Sequence, residues 1–189
     1  MNKGFNNIKK IVITGPPGSG KSSLAKKLGE ITGYDIHHLD RYYHTANWIP
    51  IDKNEFTEIV YEIIQSEEWI IDGNYRRTLE LRVERADLII YFDYCTIFSF
   101  YRIYKRIVKT KLFSIKRTDI SDDCKERWFD KNFVLWTINF NRRNRVDIIN
   151  IIKDYKSDVA LFYIIKSAKD AEKLIEYIKF TRKFNSEAV

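Results

Sequence analysis

Residues 15 to 22 read Gly-Pro-Pro-Gly-Ser-Gly-Lys-Ser, the spacing GxxxxGK[ST] of a loop that can hold a polyphosphate. Glycines let the backbone curl so that several N–H groups point inward at the anion, and a helix starting at the lysine adds the positive end of its dipole. In that geometry Gly15, Pro16, Pro17, Gly18, Ser19, Gly20, Lys21, Ser22 and Ser23 form the cradle. The Lys21 ammonium reaches the β- and γ-phosphates, and the Ser22 hydroxyl becomes a ligand of Mg2+. The expectation is a bound nucleoside triphosphate. The loop alone leaves open a kinase, an NTPase or a switch.

A carboxylate at the end of an apolar strand is the second element of such a site, because an acid must hold the metal or its water shell beside the loop hydroxyl. Asp72, after Trp69-Ile70-Ile71, fits best. Asp40 is a rival, and in an enzyme that phosphorylates a hydroxyl or a phosphate it could equally orient the acceptor or act as base. Asp93 reads as a helix cap. Phosphoryl transfer also needs cations for the charge spread over the equatorial oxygens. The candidates are Arg76, Arg77, Arg102, Arg106, Arg142, Arg143 and Arg145, and their clustering carries more weight than any member. His37 and His38 do not read as a joint metal site, since adjacent strand residues point to opposite faces. The four tryptophans and twelve tyrosines read mostly as core or lid packing, with one able to stack on a base. Asn-Lys-x-Asp is absent and Asp72-Gly73 is not an Asp-x-x-Gly switch, which argues against a GTPase.

The elements that must position these groups alternate between strand and helix, the order of a parallel, doubly wound sheet. The apolar periodicity predicts strands over residues 11–14, 34–39, 69–71, 88–92 and 159–165. Between them, helices are expected after the phosphate loop as far as Gly33, after the capping pair Asp52 and Glu55, over residues 75–85, and from Phe98 through Ile107. A helical stretch over 125–155 is expected to break near residues 141–144, where charges cluster, and a last helix to cover 170–180. Asp40, Asp72 and Asp93 all fall at carboxyl ends of strands, where ligands bind in open α/β sheets.

A length of 189 residues with 44% hydrophobic composition suits one α/β domain over 1–189. The net charge of +7 is concentrated in residues 102–145, with thirteen Lys or Arg against five Asp or Glu. Such a surplus suits nucleic acid, an anionic surface or a phosphorylated ligand. No helix-turn-helix, zinc-finger or RNA-binding-sheet signature accompanies it, which argues against direct nucleic-acid binding. Cys95 and Cys124 lie far apart and read as free thiols. No apolar run is long enough to span a bilayer and no hydrophobic N-terminal stretch is present, so a cytoplasmic protein without membrane partners is expected.

The succession Ile-Thr-Gly-Pro-Pro-Gly-Ser-Gly-Lys-Ser, His38-Leu39-Asp40, Trp69-Ile70-Ile71-Asp72-Gly73-Asn74-Tyr75, Arg85-Ala86-Asp87-Leu88 and Tyr101-Arg102-x-Tyr104-Lys105-Arg106 resembles the bacterial DNA topology modulation (FlaR-like) proteins. These are P-loop proteins related to adenylate kinase, and the resemblance covers nearly the whole chain. It implies a three-layer P-loop NTPase fold with a five-stranded parallel sheet, similar to nucleoside monophosphate kinases, and a helical lid within 111–145. It also implies ATP and Mg2+ as cofactors. Those kinases carry Asp-Gly-Phe-Pro-Arg after the third strand, with the arginine on the acceptor phosphate; here Asp72-Gly73-Asn74-Tyr75-Arg76 keeps the acid, glycine and arginine and changes the middle pair. The expected activity is transfer of the γ-phosphoryl of ATP to a nucleotide or small-molecule acceptor. Lys21, Asp40, Arg76, Arg102, Arg106 and Arg142 are the expected catalytic groups, and Ser22 and Asp72 the metal ligands. The alternative is a nucleotide-dependent NTPase or a regulator acting on nucleic acid or DNA topology.

Overall fold

The computed structural model describes residues 8–95, 99–105, 108 and 131–186. Five strands, β1 (Lys10–Thr14), β2 (Ile36–His38), β3 (Trp69–Asp72), β4 (Leu88–Phe92) and β5 (Leu161–Ile165), form one parallel sheet in the order β2-β3-β1-β4-β5. The inner strands are apolar runs buried on both faces, as parallel sheets require. Alternate residues feed separate cores: Val12, Ile71, Ile89 and Tyr91 face one way, and Ile11, Ile13, Ile70 and Ile90 the other.

The first core is closed by α3 (Lys53–Ile63), α4 (Leu79–Arg85) and α6 (Lys131–Tyr155), through Phe56, Val60, Val83, Ile148 and Ile152. The second is closed by α1 (Lys21–Thr32) and α7 (Ala168–Ser186), through Leu24, Leu28, Leu174 and Ile178. Helices on both faces of the sheet make three layers. Two shorter helices complete the described chain, α2 (Leu39–Tyr43) and α5 over residues 99–105. The capping pair is formed, with Asp52 accepting from the Asn54 and Glu55 N–H groups at 2.7 and 3.3 Å.

Several boundaries differ from the sequence expectation. β2 stops at His38, and Asp40 sits in the first turn of α2, because Leu39 turns inward and is fully buried in the core. The helix expected over 75–85 divides into a 3-10 turn, Arg76–Thr78, and α4. β5 starts at Leu161 rather than residue 159, and α7 is longer at both ends than the 170–180 expected. The expected break at 141–144 is absent. Thr137, Phe140, Ile148 and Ile152 are buried along one continuous face of α6, Arg142 and Arg143 are exposed, and the Asn144 side chain donates back to Phe140 O at 3.2 Å. Arg106, Cys124 and residues 111–130 of the expected lid lie outside the described residues, while 131–145 belong to α6. No helix among the described residues is long and apolar enough to cross a membrane.

Candidate active site

β1 runs directly into the phosphate loop, and α1 begins at Lys21. Gly15 has φ +137°, and a Cβ there would lie 2.6 Å from the Phe92 carbonyl oxygen, so only glycine lets the loop pass this close to β4. Gly18, with φ +73°, is pressed equally close to the Ser99 carbonyl oxygen of α5. Gly20 caps α1 without a side-chain hydrogen bond, which leaves the first-turn N–H groups for an anion. Lys21 Nζ donates to Pro16 O at 2.9 Å and is thereby held over the loop itself. Arg102 reaches the loop from α5: its Nη1 donates to Ser19 O at 2.9 Å, and its guanidinium lies 5.1 Å from the Tyr94 ring centroid.

The loop after β3 is tied to the phosphate loop by Asn74, whose Oδ1 accepts from Thr14 Oγ1 at 3.1 Å and from the Gly15 N–H at 3.0 Å. Beneath it lies Arg82, fully buried on the inner face of α4, donating to the carbonyls of Gly73, Tyr75 and Thr78 at 3.2, 2.8 and 3.1 Å. Burial draws its guanidinium down to about 9, so it stays charged at neutral pH. Tyr75 in turn donates its hydroxyl to Asp40 Oδ1 at 2.7 Å. Burial first, and the Asp40 carboxylate second, hold that phenol far above its ordinary value, so it remains a donor.

Asp72 is 5% exposed, and its Oδ2 pairs with His38 Nδ1 at 3.0 Å. Its Oδ1 is buried without a hydrogen-bond partner. A buried carboxylate oxygen left open, on the same cleft as the Ser22 hydroxyl, is the hard oxygen donor set that Mg2+ takes. Among the described residues no three or more His, Cys, Asp or Glu side chains gather to hold a metal by themselves. His37 turns away from His38, bonding Tyr42 at 2.8 Å.

These groups surround a cleft of about 1010 Å3 over the carboxyl ends of the strands. Lys26, Lys27, Ala171 and Glu172 wall it on the side of α1 and α7, and Asp40, His44, Trp48 and Tyr75 on the opposite side of the sheet. Of the residues singled out in the sequence, Lys21, Ser22, Asp40, Asp72 and Arg102 share this cleft. Arg76 does not line it: it is largely exposed and pairs with Asp147 at 2.8 Å. Arg77 donates to Asn54 and Thr57 on α3. Both Asp93 oxygens accept from Arg145, at 2.8 Å each, and the start of the helix it is expected to cap, residues 96–98, lies outside the described residues.

Sequence reasoning missed Asn74, His44 and Arg82. Only Arg82 left a signal: with Leu79 and Val83 it occupies the apolar face of a short helix, where an unpartnered cation does not belong.

No protein-family model matches this chain, and no curated protein matches it. Solved structures do match along nearly its whole length. A shikimate kinase from Bacteroides thetaiotaomicron is 13% identical with a TM-score of 0.53, covering 93% of this chain and 99% of that one. A gluconokinase from Sinorhizobium meliloti 1021 is 15% identical with a TM-score of 0.52, covering 96% and 95%. A shikimate kinase from Acinetobacter baumannii, in complex with shikimate, is 14% identical with a TM-score of 0.52, covering 96% of each chain. The α/β architecture described above, a five-stranded parallel sheet between two helical layers with a phosphate loop after β1, is therefore the fold of the small P-loop kinases.

Proposed function

We propose that this protein is a phosphotransferase that moves the γ-phosphoryl group of ATP to a small acceptor. The observation that carries this reading is the two-sided cleft. A phosphate loop opens into one part of it, and in another an acid outside that loop, Asp40, exposed and held by the Tyr75 hydroxyl, faces the space for a second molecule. An NTPase acting on water has no use for the second wall.

The loop N–H groups, Lys21 and Arg102 would neutralise the polyphosphate, and Ser22 with Asp72 would hold Mg2+, which when bound offsets charge on the phosphate oxygens. The acceptor hydroxyl attacks phosphorus as the bond to the bridging β,γ-oxygen breaks, and that electron pair leaves with ADP. The hydroxyl proton passes to the Asp40 carboxylate, which Tyr75 orients, and from there to solvent. Arg106 keeps a proposed place near the phosphates from sequence alone. Arg142, exposed on α6, has no described contact that supports a role.

Lys21→Ala tests the donor site. The variant should fold as the parent does, yet lose the thermal stabilisation that ATP with Mg2+ confers on the parent. Stabilisation of equal size in both proteins would sink the assignment.

A further inference from the structure

A carboxylate that is to hold an ion must have its free oxygen aimed, and Asp72 has a partner placed to do this. We infer that His38 is the positioning residue of the metal site: its Nδ1–H donates to one Asp72 oxygen and so presents the other to the ion. This rests on the donor-site reading above, in which Ser22 and Asp72 hold Mg2+.

The backbone of Asp72 is held from both sides. β3 lies between β1 and β2, and Asp72 is in register with Ile13 on one neighbour and with His38 on the other. Residues in register on adjacent strands point to the same face, which brings imidazole and carboxylate together at the carboxyl end of the sheet. Just beyond them the two chains are pressed together, since a Cβ at Gly73 would lie 2.8 Å from Leu39 Cβ. The freedom left to the carboxylate is rotation about its own side-chain bonds. The hydrogen bond from His38, at 3.0 Å, removes it before any ion arrives.

The chemistry of the pair suits this task. Both residues line the cleft and both are nearly buried, His38 at 6% exposure and Asp72 at 5%. A carboxylate accepts and cannot donate, so the shared proton lies on Nδ1. Oδ2 is occupied by that bond, while Oδ1 has no hydrogen-bond partner. A buried carboxylate oxygen left unpaired is costly, and a cation compensates it. Histidine can make the bond as a neutral ring, which arginine cannot, and so orients the carboxylate without cancelling its charge. The buried Arg82 turns its donors to the carbonyls of Gly73, Tyr75 and Thr78 instead. Partners that orient a metal-binding side chain commonly carry about ten- to a hundredfold of the metal affinity.

The test follows the metal and needs no turnover. At a fixed concentration of a non-hydrolysable ATP analogue, the full chain is melted across a Mg2+ titration, and Mn2+ binding to the same complex is read by electron paramagnetic resonance. His38→Leu keeps an apolar side chain of similar bulk and removes the donor. It should raise the Mg2+ concentration for half-maximal protection about tenfold or more, with the Mn2+ Kd moving in parallel. Affinity for the analogue in EDTA should not change. His38→Asn carries an amide N–H close to the place of Nδ1 and should keep most of the metal affinity, whereas His38→Gln, whose amide reaches the place of Nε2, should resemble His38→Leu. In an Asp72→Asn background, His38→Leu should add no further loss.

An unaltered Mg2+ requirement in His38→Leu would overturn the proposal. So would an equal loss of binding in EDTA, the mark of a general defect of the cleft, or a full further loss in the Asp72→Asn background. Should His38→Leu not fold, the comparison of His38→Asn with His38→Gln decides, and equal Mg2+ requirements in the two overturn it. If the analogue with Mg2+ does not protect the parent at all, the donor-site reading itself has failed and this inference falls with it.

Discussion

Arg82 carries the loop on which half of the cleft is built, although it touches no part of the cleft surface itself. Its guanidinium fork donates to the carbonyls of Gly73, Tyr75 and Thr78, the Tyr75 oxygen also accepting from the Thr78 N–H, and so sets Asn74 against the phosphate loop and Tyr75 against Asp40. Arg82→Met keeps the bulk and removes the donors, and should cost about 3 kcal/mol in a urea titration. Arg82→Lys should recover little, because a point-charge ammonium cannot span three diverging carbonyls. Full stability in the lysine variant would mean that the charge alone suffices. At this scale the sequence was legible where chemistry is local: Gly15 to Ser22 bring their own geometry, and Asp72 follows directly from the strand before it. The position of Arg76 outside the cleft could not be read for the opposite reason, since its partner Asp147 lies 71 residues away and no short motif announces it.

Among the elements, α6 is fixed to the sheet at the carboxyl end of β4 by the paired hydrogen bonds from Arg145 to Asp93. Those bonds, ahead of every other influence, hold the Asp93 carboxyl below its ordinary value of 3.8. The stabilisation they give is therefore complete above that value and is lost as pH falls through the lower, native one. Asp93→Asn should reduce unfolding free energy at neutral pH by about 1 kcal/mol, a figure that allows for solvent screening of the half-exposed guanidinium. The deficit should shrink as denaturant titrations are carried down to about pH 3. A deficit constant over that range would show that the carboxylate charge is not what matters. The strands β1, β3 and β4 could be read almost to the residue because runs such as Leu88 to Phe92 are buried on both faces. The unity of α6 could not, because the charged cluster around Arg142 masks a buried face that continues beneath it from Thr137 to Ile152.

For the whole molecule, the sheet order places β1 at the centre, with β3 on one side and β4 on the other. The phosphate loop thus straddles the point where the chain's connections diverge, and each wall of the cleft belongs to a different layer of the fold. One wall rests on the core under α1 and α7, and the other on the core under α3 and α4. Ligands on the two walls should then protect different parts of the backbone from hydrogen exchange. At a hundred times its Kd, a ligand adds about 2.7 kcal/mol to any opening that exposes its contacts, which slows exchange there about a hundredfold. A non-hydrolysable ATP analogue with Mg2+ should slow residues 15–24, and a small acceptor added afterwards should slow 40–50 and 73–75 without further change in the loop. Asn74 joins the two regions through Thr14 and Gly15, so Asn74→Ala should weaken the effect of either ligand on the other while leaving each separate footprint in place. Equal protection of both regions by the nucleotide alone would show that the cleft holds one ligand across its full width, and the division into donor and acceptor walls would have to be abandoned.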